Sequence, residues 1–515
     1  MSVGDDRIQF QVLPGSAAGP DLAAVLIGHL PGRVSRENLA REPALADALR
    51  PALADPDLAA RVARWREAAG DDPSITSDEL YGVALPIRSL AQLQRLFPDV
   101  QLADAASPAQ ARHWLPWAVQ DYFAAGSSGI DGRLCWVIRV PEPAAGATAG
   151  LDLLAPRPGA VRHLPETWGP VELACTVEDA GLLLLPDFER LLFQPPAGGV
   201  PRKRLPNPSI AFHPCGADLD DGHRERRWSS EMPAPVEDPL AMRRIGAIAA
   251  RLNNWRPDLH WLCALAADID GEVALPRPTA GVLAGLRGAR AGSAAGDATP
   301  PLAQVQFLFP LVYGPRRPLT SPSGLVAGQM VAQTARAGVW RSVAGLALTR
   351  DLAVWPELGR GQRAALREDP GLGVLYPRDG AQLLDDERLV TGGPCGYGDA
   401  CRAGELMRFM GWIRRSLRRL GEALVFRVDG RDPEVGNVLD AFLNSLYRQG
   451  ALRGVSAADA YRLTNLSSRG SERIEYRIEL APSFPVDRLE VTFLHDRNAN
   501  SPRLTWTAGA GVADA

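Results

Sequence analysis

Lysine is almost absent from this sequence of 515 residues, and that absence excludes several kinds of chemistry. Of 56 lysine and arginine residues, only Lys203 is a lysine. A phosphate-binding P-loop needs a lysine after its glycines, whereas Lys203 lies in the run Pro201–Arg204. The sequence therefore excludes a P-loop nucleoside triphosphatase, and any lysine Schiff-base enzyme would have to be built on Lys203. We interpret the arginine excess first as codon bias and second as a demand for bidentate pairing.

Excess positive charge and long apolar segments are also missing. The 56 basic side chains are set against 60 acidic ones, a formal net charge of −4, so no overall basic field attracts nucleic acid or anionic lipid. No apolar run approaches the roughly 18 residues of a membrane span. Met1–Arg7 is acidic where a signal peptide is basic. We therefore expect synthesis in the cytoplasm, no nucleic-acid partner and no membrane insertion.

Paired metal-ligand and nucleophile motifs are missing as well. The six cysteines are scattered, and three of them, Cys135, Cys175 and Cys263, lie in apolar runs, which predicts reduced core thiols. The densest set of possible metal ligands lies in the proline-rich loop 213–223 without the spacing of a zinc site. Its members are His213, Cys215, Asp218, Asp220, Asp221 and His223. We predict no catalytic, cofactor or metal residue, and a metal-dependent hydrolase using this loop stays an alternative.

What is present is an alternation of strand and helix patterns. Apolar strands are predicted at Leu22–Gly28, Arg133–Val140, Gly181–Pro186, Leu259–Leu265 and Val305–Phe309, with helices between them. This order predicts a layered α/β domain over 21–335, with insertions at 33–79 and 195–238. A short alternating strand, Arg7–Leu13, precedes it in an N-terminal arm over 1–20.

The rest of the chain predicts a second, α+β domain over 336–495 and a C-terminal extension over 496–515. Its pattern is a helix Glu405–Leu420, a strand Ala423–Val428, a helix Pro433–Gln449 and two strands, Arg473–Leu480 and Leu489–His495. The helix Glu405–Leu420 has an apolar stripe and a positive face. That face is formed by Arg408, Arg414, Arg415, Arg418 and Arg419. An ordinary solvated face and a docking face for an acidic partner are both open interpretations.

After residue 305 an apolar strand, a Pro-Ser-Gly turn, a helix with Ala-Gly and a Gly-Val-Trp sequence follow one another, and further distinctive segments come after them. These segments are Phe307–Pro310, Ser321–Gly324, Val326–Gly328, Ala337–Trp340, Gly371–Tyr376, Arg408–Phe426, Asn437–Gly454, Ile478–Pro485 and Val491–Phe493. Their order resembles that of the tail sheath family of contractile phage tails and phage-tail-like (extracellular contractile) injection systems.

The resemblance implies a non-enzymatic, self-assembling virion component. Copies would form stacked hexameric rings around an inner tube, bind baseplate and cap components, and contract without nucleotide hydrolysis. Terminal arms would add strands to neighbouring subunits. The arm residues would be Ile8, Phe10, Val12, Val491 and Phe493, and the arginines Arg408 to Arg419 would dock onto the tube or a neighbour. Departures from the family pattern, such as Arg341–Ala344, leave open a sheath-like baseplate or cap paralogue without long polymers.

Overall fold

Runs of consecutive apolar residues form the centre of the fold in this computed structural model. A parallel strand that is covered on both faces is apolar at nearly every position, and Ala23–Gly28 and Val305–Phe309 are buried at every residue. The structure describes residues 22–34, 36–100, 102, 113–126, 133–143, 147–193, 235–268, 277–293, 302–314, 317–391, 402–424, 434–467, 473–483, 489–496 and 503–508.

The strands of the described residues are numbered in chain order. They are β1 Ala23–Gly28, β2 Ala84–Ile87, β3 Cys135–Arg139, β4 Ala180–Leu184, β5 His260–Ala264, β6 Ala267–Asp268, β7 Arg277–Pro278, β8 Val305–Phe309, β9 Leu311–Gly314, β10 Arg317–Thr320, β11 Ala347–Thr349, β12 Ala353–Trp355, β13 Gly373–Arg378, β14 Ala381–Leu384, β15 Tyr461–Asn465, β16 Arg473–Leu480, β17 Leu489–Asp496 and β18 Arg503–Ala508.

The helices are numbered in the same way. They are α1 Arg36–Ala40, α2 Pro43–Leu53, α3 Leu58–Ala69, α4 Leu90–Leu96, α5 Leu115–Ala124, α6 Ala147–Leu154, α7 Pro170–Cys175, α8 Pro186–Leu191, α9 Asp238–Trp255, α10 Ala280–Ser293, α11 Ser323–Ala337, α12 Arg360–Glu368, α13 Gly404–Leu424, α14 Glu434–Arg448 and α15 Ala457–Ala460. Helices α1 to α3 fill the insertion that the sequence predicted at 33–79.

The main sheet has nine strands in the order β11-β14-β13-β8-β5-β4-β1-β3-β2. The six strands from β13 to β3 are parallel, and β2 and β14 pair antiparallel at either side of them. The chain passes from β1 to β3 on one side and then returns to β4 on the other. The winding of this doubly wound sheet therefore reverses between β1 and β4.

The described residues form two compact units, one between 22 and 412 and the other from 413 onward. The sequence placed the boundary at 335, but β13 pairs with β8 and β14 pairs with β13, so these later strands extend the first unit's sheet. The second unit contains α14, α15 and an antiparallel sheet in the order β15-β16-β17-β18. Ala423 and Leu424 end helix α13 instead of starting the predicted strand, and residues 425–428 lie outside the described residues.

Candidate assembly surfaces

The arginine-rich helix α13 does not present all five of its arginines to solvent. Arg408 is 2% exposed and Arg415 is 5% exposed, whereas Arg414 and Arg418 are half-buried and Arg419 is exposed. A buried guanidinium cannot meet a partner surface without first leaving its pocket. The predicted docking face is therefore corrected: Arg408 and Arg415 are interior residues, and the accessible part of the face consists of Arg414, Arg418 and Arg419.

Arg408 is buried because it neutralises a carboxylate inside the first unit. Its Nη1 donates a hydrogen bond to Glu387, and its Nη2 donates to the Arg341 carbonyl at 3.1 Å. Glu387 also accepts hydrogen bonds from the Ser342 hydroxyl, at 2.9 Å, and from the Val343 backbone N–H. Removing either member of such a pair leaves an uncompensated buried charge. The pair thus fixes the start of α13 to the segment that follows Trp340.

Two more titratable groups lie close to this ion pair. Burial, followed by the negative charge of Glu387, raises the pKa of Glu405 to about 7. Burial lowers the pKa of His260 to about 4, against the opposing effect of Gln306, whose Oε1 lies 3.0 Å from His260 Nε2. Burial therefore favours the uncharged form of both side chains, the neutral imidazole of His260 and the protonated carboxyl of Glu405.

Val491 and Phe493 do not lie in a solitary strand. They belong to β17, which pairs with β16 on one side, where Val491 is opposite Ile478, and with β18 on the other, where Val491 is opposite Trp506. A strand with both edges paired cannot add to a neighbour's sheet. The sequence prediction is corrected accordingly: β17 is an interior strand of the chain's own sheet, and the predicted extension 496–515 contains a further strand, β18.

The outer strands β15 and β18 are the two edges of this sheet. Each bonds one strand, β16 and β17 respectively, and neither has a second strand partner among the described residues. An edge strand presents a row of backbone N–H and C=O groups to which another chain can add. In β15 every side chain is half-buried or exposed.

Several predicted residues lie outside the described part of the chain. These are the arm residues Ile8, Phe10 and Val12 and the loop 213–223. Among the residues that the structure describes, no group of three or more histidine, cysteine or acidic side chains is placed to hold a metal ion. No helix in the same part of the chain is long and apolar enough to cross a membrane.

Sequence reasoning missed Asp187, which is fully buried immediately after β4. Its carboxylate accepts hydrogen bonds from the backbone N–H groups of His29, Trp114 and Leu115 at 2.8, 2.9 and 3.2 Å, and from Arg190 Nε at 2.9 Å. Burial alone raises the pKa of Asp187, but the charge of Arg190, two nearby histidines and the backbone donors together lower it below its usual value. The sequence does contain one indication of this role, since Asp187 is an acidic residue at the carboxyl end of a predicted parallel strand.

This architecture is similar to that of known structures, although the sequence matches no known family model. No protein-family model and no curated protein matches the sequence. The chain is similar to a chain of the anti-feeding prophage baseplate at 17% identity and a TM-score of 0.52, covering 95% of this chain and 97% of that one. It is also similar to the anti-feeding prophage helical sheath in the contracted state, at 17% identity and a TM-score of 0.50, covering 94% of this chain and 98% of that one.

The chain therefore has the mixed α/β fold of sheath proteins of contractile injection systems. The predicted fold class and the predicted resemblance to tail sheath proteins are both confirmed at the level of the fold.

Proposed function

We propose that this chain is a structural sheath subunit of a contractile, phage-tail-like injection machine. In this proposal copies of the chain assemble as stacked rings around an inner tube, bind baseplate and cap components, and contract without hydrolysing a nucleotide. The observation that carries the proposal is the likeness to a helical sheath chain over 94% of this chain. The absence of a P-loop lysine agrees with a machine whose energy lies in the contacts between subunits.

Strand addition is the linkage that the second unit supports. The receiving site is an open edge of the β15-β16-β17-β18 sheet, and the donor is the N-terminal segment of a neighbouring copy. In that segment Ile8, Phe10 and Val12 alternate with Gln9 and Gln11, the pattern of a strand with one apolar face. Backbone hydrogen bonds would give affinity, and the three apolar side chains would set the register.

Deleting residues 1–14 tests this linkage. We expect the truncated protein to remain soluble and folded but to form no tubes or rings, as judged by negative-stain microscopy and by sedimentation. A triple replacement Ile8→Ser, Phe10→Ser and Val12→Ser should reproduce the loss. The matched control replaces the alternate positions, Gln9→Ser and Gln11→Ser, and should assemble normally. Normal polymers from the truncated protein would refute the arm assignment.

A second candidate is a sheath-like component of the baseplate, which is favoured by the TM-score of 0.52 with an anti-feeding prophage baseplate chain. Both candidates are structural and share the strand linkage, but they differ in polymer length. Negative-stain microscopy of the full-length protein expressed alone separates them. Long tubes support the main sheath, whereas single rings or monomers support the baseplate component.

A further inference from the structure

The main sheet reverses its winding between β1 and β4, and such a reversal is where doubly wound sheets bind ligands. The site lies outside the carboxyl ends of the two strands, commonly with an anionic group held by the N-terminus of a helix. In this chain the position lies beyond Gly28, the last residue of β1, and Leu184, the last residue of β4. The first N–H groups of helix α5 also point there, because Trp114 and Leu115 donate hydrogen bonds into it.

The group found at this position is the carboxylate of Asp187. Its Oδ2 accepts from the His29 N–H at 2.8 Å and from the Leu115 N–H at 3.2 Å. Its Oδ1 accepts from the Trp114 N–H at 2.9 Å and from Arg190 Nε at 2.9 Å. Each oxygen therefore has two donors, three of the four being backbone N–H groups. This donor set is what a bound carboxylate or oxyanion requires.

Gly28 provides the space that this carboxylate fills. A Cβ at residue 28 would lie 2.4 Å from Asp187 Oδ2 and 2.9 Å from Leu115 Cβ, both far inside normal contact distance. Further charge surrounds the site, since Arg190 Nη2 also donates to Glu142 at 3.0 Å and His113 Nδ1 lies 3.7 Å from Glu142 Oε2. Asp187 itself is fully buried, so its carboxylate has no access to water.

We propose that Asp187 acts as a built-in ligand at the point where the winding of the sheet reverses, outside the carboxyl ends of β1 and β4. The site between β1, α5 and α8 has the chemistry to bind a small carboxylate, and the chain's own side chain occupies it. The internal carboxylate satisfies buried backbone donors that would otherwise be left unpaired, and it closes the position to free ligands. The inference rests on the first unit alone and does not depend on the proposed sheath function.

Formate is the probe that tests the proposal, because it has the size of the carboxylate that Asp187→Ala removes. In sodium chloride, Asp187→Ala should unfold at a lower temperature than wild type. Sodium formate at the same ionic strength should raise the unfolding temperature of the variant saturably, as a ligand of the folded state does. The wild-type protein, whose site is filled, should respond equally to both salts.

Two control variants locate the effect. Asp187→Asn keeps the side-chain volume and should be destabilised without responding to formate. Adding Gly28→Ala to Asp187→Ala places a methyl group where the formate would lie and should abolish the response. Equal formate dependence of Asp187→Ala and wild type, or an undiminished response in either control, overturns the proposal.

If Asp187→Ala does not accumulate as folded protein in chloride, purification decides the question instead. Folded, soluble full-length protein obtained in formate but not in chloride supports the internal-ligand role. Failure to fold in both salts overturns it.

Discussion

Buried arginines fix several loops of this protein by donating hydrogen bonds to backbone carbonyl groups. Arg256 donates to the carbonyls of Cys175 and Val177, both at 2.9 Å, and of Ala180 at 2.8 Å, while it also pairs with Asp258 at 2.9 Å. A planar guanidinium offers five donors in fixed directions, whereas a lysine ammonium offers three on a compact charge. The bidentate role that the sequence suggested as the second reason for the arginine excess is therefore real at such positions.

Replacing Arg256 by lysine tests this role at a single residue. We expect Arg256→Lys to lower the free energy of unfolding by about 3 kcal/mol, because one ammonium group cannot replace all the contacts that the guanidinium makes with three loop carbonyls and Asp258. Urea denaturation followed by circular dichroism measures the change. The control is Arg66→Lys, since Arg66 is 40% exposed in its contact with Asp71 and should change stability by less than about 0.5 kcal/mol. Equal effects at the two sites would contradict the interpretation.

Glu189 gives the folded state a defined pH dependence. Burial raises its pKa to about 8, against smaller opposing effects from Ser321, the Ala264 backbone and Ser323. The unfolded chain releases this proton near the ordinary value of 4.5. The stabilising contribution of the bound proton is therefore complete below that value and is lost as the pH rises to about 8.

Glu189→Gln has no such proton to lose. Between about pH 5 and pH 8 its free energy of unfolding should fall less than that of wild type, with a difference on the order of a few kcal/mol. Urea denaturation across this range measures it, with Glu37→Gln on the exposed side of α1 as the control. Parallel pH profiles of Glu189→Gln and wild type would show that the carboxyl group is not protonated in the folded state.

Among the elements, those with a strong local pattern could be predicted from the sequence. The apolar run Leu22–Gly28 predicted β1, and the spacing over Glu405–Leu420 predicted α13. Strand β18, Arg503–Ala508, was missed because only Leu504, Trp506 and Ala508 on alternate positions carry its pattern. Its place in the sheet is decided by pairing with β17, which is not a local property.

The candidate docking face was only partly predictable for the same physical reason. The helical spacing identified which residues of α13 are apolar, but it could not identify which arginines have buried partners. Arg408 is interior because Glu387, 21 residues earlier in the chain, meets it in the folded protein. Likewise, Asp187 is held at the carboxyl edge of the main sheet by hydrogen bonds from the backbone N–H groups of His29 and Trp114. These residues are 158 and 73 positions away in the chain.

The contact between helices α5 and α11 depends on glycines that sequence propensity alone would count as defects. A Cβ at Gly328 would lie 2.4 Å from the Tyr122 carbonyl oxygen, and a Cβ at Gly324 would lie 2.4 Å from that of Ala118. The missing side chains let the two backbones approach closely. Packing therefore outweighs the roughly 1 kcal/mol that glycine costs inside a helix.

Gly328→Ala should therefore destabilise the protein by about 1–3 kcal/mol, because overpacking exceeds the gain in helix propensity. The matched control is Gly246→Ala in α9, where a Cβ meets nothing within 4 Å and alanine should stabilise by roughly 0.5–1 kcal/mol. Urea denaturation of both variants measures whether each substitution lowers or raises the free energy of unfolding. A stabilising Gly328→Ala would mean that α5 and α11 do not pack closely through this residue.

At the scale of the whole molecule, assembly and folding are proposed to use different surfaces. The first unit is held by the nine-stranded sheet and by buried ion pairs such as Arg408 with Glu387. Assembly would use the open edges of the β15-β16-β17-β18 sheet and the accessible arginines of α13. In that proposal Arg414, Arg418 and Arg419 would steer docking onto an acidic surface of the tube or of a neighbouring subunit.

Charge reversal at α13 is the sharpest test of whether assembly and folding use different surfaces. Arg414→Glu with Arg418→Glu should slow assembly and tube binding, most strongly at low salt, because long-range attraction sets the association rate. Light scattering measures the rate of assembly, and co-sedimentation with the tube measures tube binding. The control, Arg66→Glu with Arg378→Glu, makes the same change in net charge at arginines that are 40% and 65% exposed in the first unit. If both double variants assemble alike, net charge alone governs association and α13 is not a docking face.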